Sequence, residues 1–252
     1  MIKDTEPIVY AKYFFLILGI AVILSLGYKA VLLISQSTFK HNTFNILLIS
    51  KGQRIIHVDS ENKKIVTQEI ENTKKVNSKE SIVEQSTNLG LLIDGSIIAT
   101  NNAEVKNVSL SILFNSYDYK LKNINQFDLL KIILYSYIFE NETKPWQDPN
   151  ESNLYVDSQI ANEKVSVEIT NATDTDGLGG KFAQALKNTG YNVVSVKSNN
   201  KQKSRIIGSD LSSGSINRLK NALRITPEIP SGSQAISDII VILGPDLLKS
   251  NK

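Results

Sequence analysis

The chain has 252 residues, no cysteine, two histidines and a net charge of only +3. That length allows an anchor and one or two modest domains, and an apolar share of 41% excludes a wholly disordered chain. Disulfides, thiolate catalysis and cysteine- or histidine-rich metal sites are excluded; dispersed lysines give no concentrated basic face for nucleic acid.

Residues 13–28 (YFFLILGIAVILSLGY) are almost wholly apolar, and AVLLI resumes after Lys29. A bilayer core of about 30 Å takes about 20 helical residues. Residues 10–34 therefore predict a transmembrane anchor behind a tail at 1–9, with Lys29 snorkelling to the interface. Tyr10, Tyr13 and Tyr28 suit interfacial depths. A cleaved signal peptide, with Ser25-Leu26-Gly27 as its site, and a buried soluble helix remain alternatives. Lys3 and Lys12 before the span balance Lys29 and Lys40 after it, so charge does not orient it.

Beyond the polar stretch 36–42, FNILLI at 44–49 predicts a buried strand, and RIIHVD (54–59) and KIVTQEI (64–70) a hairpin around residues 60–63. His57 falls in this strand pattern and His41 follows the anchor; neither is expected to be catalytic. Residues 71–88 carry no clear period and read as a loop or weak helix. LGLLIDGSIIAT (89–100) predicts two strands about an Asp94-Gly95 hairpin turn, and 105–114 a weaker element. QFDLLKIILYSYIF (126–139) predicts a core-facing amphipathic helix, since Asp128, Lys131 and Ser136 interrupt it as a membrane span. The polar segment 140–163, with Pro145 and Pro149, reads as a linker, in which Trp146 is expected to pack.

From Lys164 the pattern becomes strand (165–170), helix (178–188, ended by Gly190) and strand (191–197), a βαβ unit. A strand at 205–208, a helix at 215–223 capped by Ser213 or Ser215, and an apolar, hence central, strand at 236–243 complete it. The fold class is α/β: a transmembrane helix, a small α+β or α/β middle domain at 44–139, and a C-terminal α/β domain at 164–248.

VSVEITNAT, Gly177-Leu178, FAQALKNTGYNVVSV and the closing IVILGPD occur in that order. Together they make residues 164–248 resemble the LytR C-terminal domain family, with Asp174-Thr175 departing from its usual Gly-Val pair. In that family the domain usually follows a LytR-CpsA-Psr catalytic domain, an extracytoplasmic enzyme that transfers polymers from a lipid pyrophosphate to peptidoglycan. Residues 44–139 resemble such a domain with its chemistry removed. Ser50-Lys51-Gly52 stands where the family has Gly-x-Asp-x-Arg, and Glu71-Asn72-Thr73 where it has Pro-Arg-Asp. Arg54 is the only arginine between residues 44 and 139, too few for a pyrophosphate clamp.

The resemblance implies a single-pass envelope protein with its C-terminal part outside the cytoplasm, a non-catalytic module binding or scaffolding cell-wall polymer or an envelope protein. No cofactor, metal or nucleic acid is expected. The alternative is a divergent phosphotransferase using Arg54, Asp59 and a metal. Asn171, Thr173, Asp174, Asp176 and Gly177 form a candidate ligand-binding loop before a helix N-terminus, against the plainer reading that Asp174–Asp176 caps that helix. Arg54, Lys203 and Arg205 are candidate residual anion contacts, against the plainer reading of Lys201, Lys203 and Arg205 as a solvated loop. Asp94, Asp118 and Asp128 are expected in turns or at the surface rather than on a metal.

Overall fold

A computed structural model describes residues 6–71, 74–99, 118–230 and 237–249. Its contacts divide the chain once, into residues 1–37 and 38–252. The first unit is α1 (Glu6–Ser35). Its stretch Tyr10–Ser35 has mean hydropathy 2.3 and is unburied. At 1.5 Å per residue these 26 residues span about 39 Å, more than a bilayer core needs.

The second unit holds two sheets. The first runs in the order β5-β4-β1-β2-β3-β6, from β1 (Thr43–Ile49), β2 (Gln53–Asp59), β3 (Lys64–Glu69), β4 (Gly95–Ala99), β5 (Tyr119–Lys122) and β6 (Glu140–Lys144). β2 and β3 form the expected hairpin and β1 pairs antiparallel with β2, while β4 runs parallel to β1 and β6 parallel to β3. β1 is buried at all seven positions because both faces are covered. Phe44, Ile46 and Leu48 pack against Leu129, Ile132 and Ile133 of α3 (Gln126–Ile138). Leu47 and Ile49 pack against Val76, Leu89 and Tyr155 on the other face.

The second sheet has the order β8-β7-β10-β9, from β7 (Ser166–Asn171), β8 (Asn192–Ser198), β9 (Arg205–Gly208) and β10 (Ile239–Leu243). β7 is parallel to both β8 and β10, so the βαβ unit and the central last strand are as the pattern predicts. Its helices are α4 (Ser158–Glu163), α5 (Leu178–Asn188) and α6 (Gly214–Leu223, N-capped by Ser213). Val83 and Leu92, from before the expected linker, belong to this sheet's core with Phe182, Leu186 and Leu219.

Four expectations change. Residues 71–88 contain a firm helix, α2 (Ile82–Leu89), because Ser81 and Glu84 close a capping box. Residues 89–100 give one strand and no Asp94-Gly95 hairpin: Asp94 is 3% exposed and β4 continues forward alongside β1. Gly95 allows that path, since a Cβ there would sit 2.2 Å from Ile124 Cγ2. Asp128 is also buried, inside the N-terminal turn of α3. The segment 140–163 carries β6 and α4, and Trp146 packs against the core with Leu154. The expected element at 105–114 lies outside the described residues.

Candidate functional site

Arg218 lies on the stripe of α6 that also carries Ser215, Leu219 and Ala222, and it is fully buried. A guanidinium there must find its partners inside the protein. Its Nε and Nη2 donate to Asp94 Oδ1 and Oδ2 at 3.3 and 3.0 Å. Nη1 donates to Asp157 Oδ2 at 2.7 Å and Thr43 Oγ1 at 2.8 Å. Burial pulls the Arg218 pKa down, and the two carboxylates more than offset it, leaving it above its ordinary value. Asp94 Oδ2 also accepts the Asn45 N–H at 2.7 Å. Asp157 Oδ1 accepts the Gln159 and Ile160 N–H groups at the start of α4. One side chain thus ties β1, the start of β4, α4 and α6 together.

His57 borders this cluster. Asn45 Nδ2 donates to Leu92 O, so Asn45 Oδ1 accepts from His57 Nδ1 at 2.7 Å. Burial, then the Arg218 charge, lowers the His57 pKa to about 4. The same two causes lower His41.

Six residues beyond Arg218, α6 is C-capped by Arg224, which takes a left-handed φ of 57° where glycine is usual. Asn123, at φ 61°, faces it. Arg224 Nε donates to Asn123 Oδ1 at 2.5 Å, and Nη2 donates to Asn123 O and Thr38 Oγ1 at 2.6 and 3.0 Å. Asn123 Nδ2 in turn donates to the Asn221 and Ala222 carbonyls, acceptors that the end of α6 leaves without helical donors.

This clasp closes one end of a pocket of about 380 Å³ between β5, the start of α2, the end of α6 and the residues after β10. Among the described residues, Lys120, Lys122, Arg224 and Lys249 line it against the single carboxylate of Asp246. Lys122 Nζ donates to the carbonyls of Ser78 and Glu80 at 2.7 and 3.0 Å. The hydrogen bonds of Lys122 and Arg224 therefore go to neutral oxygens. Burial lowers the pKa of both; Glu84 and Glu80 partly offset this for Lys122, as Asp128 does for Arg224. An anion would offset the desolvation that lowers both. Asp246 is itself held by the Ser204 N–H and hydroxyl at 2.9 and 2.7 Å, bonds that outweigh burial and lower its pKa.

The residues singled out from sequence lie elsewhere. Asn171 Oδ1 accepts the Thr173 N–H and hydroxyl, and its Nδ2 donates to Thr175 O, so the loop closes on itself. Asp174 pairs with Lys201, and Asp176 is exposed. Gly177, at φ 72°, is the N-cap of α5 and makes no side-chain cap bond, so Asp174–Asp176 do not supply it. Arg54 lies on β2, 3.8 Å from Glu69. Lys203 is exposed before β9, where Arg205 is paired to Glu228 by Nε and Nη2. Arg54 and this pair thus belong to different sheets. Among the described residues no three His, Asp or Glu side chains group as metal ligands. Arg218 does carry a signal in the sequence: an arginine on an apolar helical stripe implies a buried counter-ion.

Residues 164–247, one third of the chain, match the family model described as LytR cell envelope-related transcriptional attenuator. The match does not reach residues 44–139. No curated protein and no solved structure matches the chain. The match and the apolar N-terminal helix fit a membrane-anchored protein of the cell envelope.

Proposed function

We propose that this is a membrane-anchored envelope protein whose folded unit binds an anionic polymer of the wall through the pocket at Lys120, Lys122, Arg224 and Lys249, without catalysing its transfer. The observation that carries this is the pocket itself, where, among the described residues, four cations stand against one carboxylate, and half-buried Lys122 and exposed Arg224 bond to neutral oxygens. Residues 44–139 read as a catalytic relative whose phosphate chemistry has gone. Their β1–β3 meander is filled on both faces by side chains, and Arg54 is spent beside Glu69.

The test is titration of the full chain in nanodiscs with a short oligo(glycerol phosphate), read by calorimetry. Binding should weaken with salt, as exposed charge pairs do. Lys120→Gln with Lys249→Gln, both at exposed positions, should weaken it several-fold while leaving the unfolding midpoint in place. Unchanged affinity in that variant retires the pocket. Protection of the folded unit from protease added to intact cells retires the envelope placement.

A further inference from the structure

The helix α3 is apolar on two sides. Leu129, Ile132 and Ile133 face the first sheet. Phe127, Leu130, Leu134, Tyr137 and Ile138 recur at spacings of three and four and form an outer stripe. Leu134 is 49% exposed, Tyr137 76% and Ile138 70%. A surface helix ordinarily turns charge outward, and contiguous apolar side chains on the outside mark a surface that meets something. Lys131 lies in the same stripe, its Nζ over the Phe127 ring and donating to Phe39 O at 2.7 Å; burial lowers its pKa, Asp128 partly offsets this, and Lys40 lowers it further.

Chain length identifies the occupant. Only Gln36 and Ser37 separate the last residue of α1 from Thr38, whose N–H is bonded to both carboxylate oxygens of Asp128 at 3.2 and 3.3 Å. Three residues of extended chain reach at most about 11 Å. Asp128 is in the first turn of α3, and Ile138 is about 15 Å farther along the helix. A membrane helix ending at Ser35 therefore keeps the whole stripe within a few nanometres of the bilayer surface. Tyrosine, leucine and isoleucine flanked by lysines are the composition that settles among headgroups.

We propose that the outer stripe of α3, with Leu134, Tyr137 and Ile138 at its centre, lies in the headgroup region of the bilayer, with Lys40 and Lys131 toward anionic lipid. This rests on the membrane anchor proposed above. It makes α3 a second, interfacial contact that fixes how the pocket-bearing unit is presented.

The chain has no cysteine, so Tyr137→Cys creates a single labelling site on an outward side chain. Lys181→Cys on α5, also exposed, is the control. The full chain carrying an environment-sensitive dye is reconstituted in vesicles containing phosphatidylglycerol and a headgroup-nitroxide lipid. Blue-shifted, quenched emission at position 137 and neither effect at 181 is the expected result. Leu134→Glu with Ile138→Glu should remove both effects, and high salt should weaken them. A chain that floats with the vesicles yet shows no quenching at 137 overturns this inference alone. So does energy transfer between labels on two copies, which would assign the stripe to self-association. A chain that does not float overturns the anchor as well.

Discussion

The Arg218 cluster makes stability sensitive to single atoms. Removing one member of a buried ion pair strands the others, at a cost of about 3–5 kcal/mol, whereas replacing the whole set by neutral groups is often close to harmless. Arg218→Ala should therefore lower the denaturation midpoint sharply, since Asp94 and Asp157 stay at 4% and 0% side-chain exposure. Arg218→Met combined with Asp94→Asn and Asp157→Asn should recover most of the loss; a triple variant as weak as Arg218→Ala contradicts the assignment. His57 adds a pH dependence. Its pKa is about 4 folded against 6.5 unfolded, so the unfolded chain takes up the proton first as pH falls. Stability is full above pH 6.5 and declines from there toward pH 4, by an amount on the order of 3 kcal/mol. Thermal unfolding of the detergent-solubilised chain at pH 7.5 and 4.5 should show the drop. His57→Gln should remove most of it, with His41 leaving a smaller slope of the same sign.

At the level of elements, α3 shows how local and distant signals combine. Asn125 caps it and Asp128 returns the bond to the Asn125 N–H, a box written in four consecutive residues. Asp128 also holds Thr38, ninety residues earlier, and nothing in the local sequence announces that. Asn125→Ala should cost about 1 kcal/mol, the usual loss of a cap. Asp128→Ala should cost more, because it also leaves the buried Thr38 amide unpaired, worth about 1–3 kcal/mol. Fast hydrogen exchange at the Thr38 amide in Asp128→Ala but not in Asn125→Ala separates the two effects. The same division explains what the sequence reading recovered. β1 to β3, α3 and the strands and helices after Lys164 were legible because each repeats its apolar period locally. Asp94-Gly95 was misread because hairpin-turn chemistry and a buried ion pair use the same two letters. The pocket was not legible, since its cations stand at positions 120, 122, 224 and 249 and meet only through the clasp of Asn123 on Arg224.

At the scale of the molecule, the LytR C-terminal match ends at residue 164 on one side, but the packing does not. The core of the second sheet takes Val83 and Leu92 from the first half. Thr189 and Asn188 at the end of α5 bond to the backbone of Leu92 and Gly90. The guanidinium that neutralises Asp94 and Asp157 comes from α6. An interface of this kind couples both halves into one cooperative transition, because opening it exposes apolar surface and an unpaired buried charge together. Loops tolerate cleavage where they carry no core side chain, so a protease site inserted between Asn150 and Glu151 gives a direct measurement. The nicked chain should keep both fragments together through gel filtration in detergent and lose them in a single unfolding step. In Arg218→Ala the fragments should part at lower denaturant. If the nicked wild type instead falls into two bodies that melt separately, the matched third of the chain folds on its own, and a pocket built from both halves would exist only when they happen to meet.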